Sequence, residues 1–300
     1  MNNLSQPPID VKERLRIFTP LGIRFWDTAR DSAVRDGLTV TARRKGTAGP
    51  VRQAFRTGGG LYAFRRLPGL RPVEYPDPDA TDPESLAGPF KYIIEVRDEH
   101  HRFLPVVFAV DVPLSSRGIY PAAAAVSLPE DGPAGFYLFS APARTPAPGI
   151  AAVRAQIRDV TSGQPAAYAV LEVVLDGSAW YGIADDQGRV AVQFPYPRVE
   201  APLFGSPPAG SQPLANQQWA LEVRVRYQPD GLTSFPPTTV PDYRSIFEQE
   251  QGLLYEHSPD ASPPGGLTGS LSVSLHYGEP AIVRTGGVSE LLVQPNVSIP

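Results

Sequence analysis

Three hundred residues can bury one large core or two ordinary ones, and 27 lysines and arginines against 31 aspartates and glutamates leave a formal net charge of −4. That balance excludes a global attraction for nucleic acid or anionic lipid, and the lack of any cysteine excludes disulfides, zinc fingers, thiol catalysis and iron–sulfur ligation. The 35 prolines and 27 glycines among 42% hydrophobic residues fit an all-β protein rich in turns better than a disordered chain.

Met1-Asn-Asn-Leu-Ser-Gln-Pro-Pro8 has no basic region followed by an apolar run, so no secretory leader is expected. Nothing elsewhere approaches about 18 uninterrupted apolar residues, so the expectation is synthesis in the cytoplasm without membrane insertion. Residues 1–14 read as an arm, and Leu15-Arg-Ile-Phe18 as its anchor or as the first strand. Strands are expected at 23–27 and 38–43. Gly58-Gly-Gly60 then precedes the alternating run Leu61-Tyr-Ala-Phe-Arg-Arg-Leu-Pro68, with no helix and no Gly-Lys-Ser/Thr, so it reads as a turn and not as a phosphate cradle.

After a proline- and aspartate-rich loop at 76–90 comes the strand Tyr92-Ile-Ile-Glu-Val-Arg97. His100 and His101 fall in the turn that follows; adjacent side chains on a strand face opposite ways, which argues against joint chelation of an ion. His257 and His276 are isolated, and no Gly-x-Ser-x-Gly elbow is present. Ser140-Ala-Pro-Ala-Arg-Thr-Pro-Ala-Pro-Gly149 breaks the alternation and marks a boundary. Further strands are expected at 154–159, 168–175 and 189–195, then a second long loop at 200–218, and a strand over 219–227. In that strand Trp219, Leu221, Val223, Val225 and Tyr227 share one face. Tyr243, Ile246, Phe247 and Glu250 recur at helical spacing between the N-cap Asp242 and the stop Gly252, which predicts a short helix over 242–251, docked on its own half. Residues 271–277 and 289–294 read as the closing strands.

Within that order the chain repeats itself. Gly60 to Glu95 spans 35 residues and Gly188 to Glu222 spans 34, each leading from a turn glycine through a strand and a long loop to an alternating strand. Val112-Pro113 and Val240-Pro241 follow those glutamates by 17 and 18 residues and extend the apparent match. The expectation is two tandem antiparallel β-sandwich domains, Ig-like or prealbumin-like, with one short inserted helix. The first covers 15–140 and the second 150–300, joined by the Pro-rich 141–149, with an insertion at 229–268.

Asp185-Asp-Gln-Gly188 poses the sharpest chemical question, since two carboxylates and a glycine resemble a cation loop. A calcium loop alternates its acidic residues over a longer span, and the equivalent of this stretch in the first half, Arg56-Thr-Gly-Gly, has no carboxylate; a hairpin turn is the expectation. A metal-dependent enzyme would rest on Asp185 and Asp186. No catalytic residue, cofactor or metal is expected.

The stretch Ile157-Arg-Asp-Val-Thr-Ser-Gly-Gln-Pro-Ala, with Val170-Leu-Glu-Val and Gly182-Ile-Ala-Asp-Asp-Gln-Gly-Arg-Val, is similar to prealbumin-like or carboxypeptidase-regulatory-like domains, over about 40 residues. The first half keeps only a degraded version, Thr28-Ala-Arg-Asp-Ser-Ala. Over a larger part of the chain, Arg66-Leu-Pro-Gly-Leu-Arg-Pro-Val-Glu74, Tyr92-Ile-Ile-Glu-Val-Arg-Asp98, Arg102-Phe-Leu-Pro105, Tyr277-Gly-Glu-Pro-Ala-Ile-Val-Arg-Thr285 and Leu292-Val-Gln-Pro295 resemble accessory structural proteins of extracellular, phage-tail-like contractile injection systems. That resemblance implies a non-enzymatic subunit of a particle, at the cap or the baseplate periphery, in several copies or a ring. Its partners would be sheath, tube, cap or baseplate proteins, and the particle could be released from the cell. Contact residues would be Arg66, Arg71, Phe204, Tyr243 and Phe247, together with the two long loops and the arm. The alternative is a carbohydrate- or cell-surface-binding module, with Trp180-Tyr181 as its aromatic platform.

Overall fold

The computed structural model describes residues 19–75, 89–112, 135–197, 217–260 and 265–296. The arm, its anchor, Phe204 and nearly all of both long loops lie outside the described residues.

In the first half the chain runs through β1 (Leu21–Ile23), β2 (Phe25–Asp27), β3 (Ser32–Val34), β4 (Leu38–Arg44), β5 (Arg52–Gln53), β6 (Phe55–Arg56) and β7 (Tyr62–Phe64). One helical turn, α1 (Arg71–Glu74), precedes β8 (Phe90–Asp98), β9 (Val106–Val112) and β10 (Phe136–Leu138). One layer is the antiparallel sheet β5-β4-β8-β9. The facing layer is made of β1-β7-β6 and β10-β2-β3. Its lead strand changes partner at Arg24: β1 pairs antiparallel with β7, and β2 pairs parallel with β10. Alternation puts Val40, Ala42, Tyr92, Ile94, Val96, Phe108 and Val110 on the inner face of the first layer, where they meet Phe25, Tyr62, Phe64 and Phe136. Phe108 stacks on Phe136 with centroids 3.9 Å apart. The strand expected over 61–68 stops at Phe64, because Arg66 turns the chain at φ 57°.

The second half repeats this plan: β11 (Ile150–Asp159), β12 (Val170–Leu175), β13 (Ser178–Ile183), β14 (Arg189–Pro195) and β15 (Gln218–Arg226). An insertion containing α2 (Tyr243–Phe247), β16 (Leu253–Tyr255) and β17 (Leu267–Thr268) follows, and β18 (Leu271–His276), β19 (Ala281–Val283) and β20 (Leu291–Gln294) close the half. The sheet β13-β12-β15-β18 matches β5-β4-β8-β9 strand for strand. Like β1 and β2, β11 pairs antiparallel with the strand after the turn glycine, β14, and parallel with the last strand, β20. The two turn glycines adopt the same left-handed conformation, φ 78° at Gly60 and 74° at Gly188. The molecule is all-β, and its internal duplication is written in its strand pairings.

One sequence landmark is corrected. Val112 ends β9, whose counterpart is β18, whereas Val240-Pro241 lies in the insertion between β15 and α2. The similar spacing is a coincidence produced by that insertion. Among the described residues no helix is long and apolar enough to cross a membrane.

Candidate functional site

Where the halves meet, the structure departs most from what the sequence led one to expect. The helix is shorter than 242–251 and does not belong to the second half alone. Asp242 caps it by accepting from the Arg244 amide, and Glu248 ends it. The buried Gln249 then draws the chain away: its Nε2 donates to the Ile246 and Tyr168 carbonyls at 2.9 Å, and its Oε1 accepts from the Gln228 amide. Tyr243, Ile246 and Phe247 enter the core of the first half, joined there by Val170 and Ile183 from β12 and β13.

Phe247 lies 5.3 Å from Phe139 and meets Tyr181 edge-on at 6.5 Å. Tyr243 lies 6.0 Å from Phe139, and its hydroxyl donates to the Tyr137 carbonyl at 3.0 Å. Complete burial pushes the Tyr243 phenol well above the usual range. Tyr243 and Phe247, expected as partner contacts, are therefore spent inside the molecule, because helical spacing marks an apolar face without saying what covers it.

The strap ahead of α2 lies on the outer face of the first sheet. Asp242 bridges Val107, the Phe235 carbonyl accepts from Arg43 Nη2 at 2.7 Å, and Lys45 sits over the Phe235 ring at 5.2 Å. Burial raises the Asp242 carboxyl above the ordinary carboxylate range. On the other side of the seam, the proline-rich segment after Ser140 is pinned. Arg144 forms a two-pronged pair with Asp27, at 3.0 and 2.6 Å, with side-chain exposures of only 8% and 7%. Arg144 also lies 4.8 Å from the Phe103 ring centroid, and its carbonyl accepts from Arg154 and Gln193 of the second half.

The acidic tip lies at this seam too. Arg97, Leu104 and Val106 from the first half and Tyr168, Asp185 and Asp186 from the second line a groove of about 300 Å³. Asp185 acts as a turn residue: Oδ1 accepts from the Gln187 and Arg189 amides at 2.9 Å, and Oδ2 accepts from Arg189 Nε at 2.9 Å and Nη2 at 2.8 Å. Those four bonds use the oxygen capacity that a cation would need. Among the described residues no group of three or more His, Asp or Glu side chains converges on a metal position. Burial, with the Asp186 and Asp185 charges added, raises the Tyr168 phenol.

Trp180 and Tyr181 do not form a platform. They alternate on β13, so Trp180 stacks inward on Phe194 at 4.5 Å while Tyr181 faces the seam and donates to Glu172 at 3.5 Å. Arg66 and Arg71 are exposed and share a cleft with Pro68, Gly69, Glu74 and Tyr75. The buried Glu74 turns inward and accepts from the Leu67 amide. Of the expected contact residues that are described, these two arginines alone are exposed, while Trp180 and Tyr181 are half-buried and Tyr243 and Phe247 buried.

Asp98 accepts from the Arg102 amide and guanidinium and from the Phe103 amide, so the end of β8 is tied to the turn that leads into β9.

No family model matches the chain, and no curated protein sequence matches it. The solved structure of the Bacillus anthracis TIE protein is similar over 87% of this chain and 44% of its own length, at 9% identity and a TM-score of 0.20. This chain thus spans less than half of that protein, and a likeness so slight carries no inference about fold or role.

Proposed function

We propose that the protein is a non-enzymatic assembly subunit that holds partners at a fixed spacing within a phage-tail-like contractile injection particle, at the cap or the baseplate periphery. The supporting observation is the seam. Three side chains of α2 sit in the core of the other half, and a buried Arg144–Asp27 pair locks the connecting segment. Two sandwiches joined in this way act as one stiff body, which a spacer in a contracting assembly requires. A pair of domains that closes on a substrate would instead meet across a small polar interface.

In this reading several copies assemble with sheath, tube, cap or baseplate proteins after synthesis in the cytoplasm, and leave the cell only with the particle. The test is to sediment assembled particles from a producing strain and quantify the chain by mass spectrometry. Retention of the chain at a fixed ratio to the sheath protein is expected. Intact, functional particles that lack it, with the chain left as a free monomer, would overturn the proposal.

A further inference from the structure

Charge is segregated along this chain in a way the net value hides. Between Asp36 and Glu74 there are eight lysines and arginines and not one aspartate or glutamate. Among the described residues, none of the eight forms an ion pair with a carboxylate. They turn to carbonyls and rings instead: Arg52 Nε donates to the Arg66 carbonyl at 3.1 Å, Arg56 to the Arg35 carbonyl at 2.9 Å, and Arg65 lies over the Phe55 ring at 4.7 Å. These contacts fix the side chains, and among the described residues no carboxylate neutralises their charge.

Among the described residues the same stretch is a sheet edge twice over. β5 ends the order β5-β4-β8-β9 and β6 ends β1-β7-β6, so residues 51–56 run along the margin of both layers of the first sandwich. An edge strand presents unpaired backbone N–H and C=O groups, and proteins usually blunt it with a cover or an inward charge. Here it carries exposed apolar side chains. Of the five large hydrophobic residues exposed among the described residues, Val51 (59%), Phe55 (38%) and Tyr75 (42%) lie on this edge or beside the adjoining Arg66–Arg71 cleft.

We propose that residues 51–56, flanked by Arg65, Arg66 and Arg71, dock an extended acidic segment of a partner protein by strand addition. The β5 and β6 backbone would supply the ladder, Val51 and Phe55 would take alternate apolar side chains, and the arginines would take carboxylates. The open edge and the guanidinium groups favour a polypeptide over nucleic acid. A phosphate backbone has no use for strand hydrogen bonds, and the Phe55 face on which a base would stack is occupied by Arg65. The surface rests on charge, strand order and exposed apolar side chains, and it stands whether or not the partner belongs to a particle.

The experiment titrates the full-length protein into a labelled peptide that alternates glutamate with valine, followed by fluorescence anisotropy. In parallel it uses the same peptide with lysine for glutamate, a short duplex DNA and phosphatidylserine vesicles. Binding of the acidic peptide alone is expected, weakening with salt, together with slowed amide exchange at residues 52–56. Arg65→Glu and Arg66→Glu should each weaken it by about tenfold, and Phe55→Ala, which leaves the charges in place, by less. Equal or tighter binding of DNA or vesicles, unchanged affinity in the charge-reversal variants, or binding without protection at 52–56 would overturn the proposal. If the peptide binds but the chain is absent from particles, this inference holds and the particle reading fails.

Discussion

The two halves share a strand order and differ in how their cores are completed. Among the described residues, the second-half core, from Ala151 to Val293, is made of its own residues. The first-half core includes Val170, Ile183, Tyr243, Ile246 and Phe247, all from the other half. Duplication therefore supplied two similar sandwiches, and an insertion between β15 and β18 in one copy became the clamp on the other. A repeated fold need not give two independent units: one copy is self-sufficient, and the other is finished by its neighbour.

Separating the halves should have the largest effect. Expressed alone, residues 150–296 should unfold cooperatively on heating, followed by near-ultraviolet circular dichroism. Residues 19–149, stripped of the α2 side chains, should show no such transition. Cooperative melting of both fragments would erase the asymmetry. Next comes Arg144→Ala, which strands the buried Asp27 carboxylate and should cost about 3–5 kcal/mol in urea denaturation. Arg224→Ala, on the solvent face of the second half where Arg224 pairs with a Glu222 side chain that is 42% exposed, should cost under about 1 kcal/mol.

The equivalent glycines sharpen the comparison at a smaller scale. Alanine at either must adopt a left-handed backbone, at about 1–2 kcal/mol. At Gly188 the new Cβ would also come within 2.3 Å of the Ile157 carbonyl oxygen, whereas at Gly60 it meets only the flexible Arg35 side chain at 3.0 Å. Gly188→Ala should therefore lower the midpoint distinctly more than Gly60→Ala.

The smallest expected effect is one of pH. Burial alone would raise the Asp98 carboxyl, but hydrogen bonds and charge from Arg102 outweigh it and hold the group below its ordinary value. With the folded value depressed, its contribution is present above the unfolded value, near about 4, and is lost as pH falls through the folded value. The urea midpoint of the native chain should therefore drop on acidification below about pH 4 by more than that of Asp98→Asn.

Much of the architecture was legible beforehand because strands advertise themselves locally. Alternation located β8, β12, β14 and β15 within a few residues, and β14 with the expected bounds. The turn role of Asp185 is legible in the sequence because its partners, Gln187 and Arg189, are two and four residues away. Where a decisive partner is far off in sequence, the pattern was silent. Nothing near Arg144 points to Asp27, 117 residues earlier, and a single cation in a proline-rich run looks like any linker residue. The apolar stripe Tyr243, Ile246 and Phe247 was visible, but a stripe specifies burial and not an address. The shared spacing of Val112 and Val240 misled because an insertion can mimic a repeat.

What the residues by themselves determined is therefore the all-β class, most of the strands, the two left-handed glycine turns and the duplication, since each depends on backbone preferences and on periodicity within one segment. Only the tertiary structure decided which half the helix completes, that the proline-rich join is locked by a buried ion pair, and that the cationic stretch lies, among the described residues, at the margin of both layers. Those outcomes depend on which surfaces exclude water from one another, and burial belongs to a pair of surfaces and not to either sequence alone.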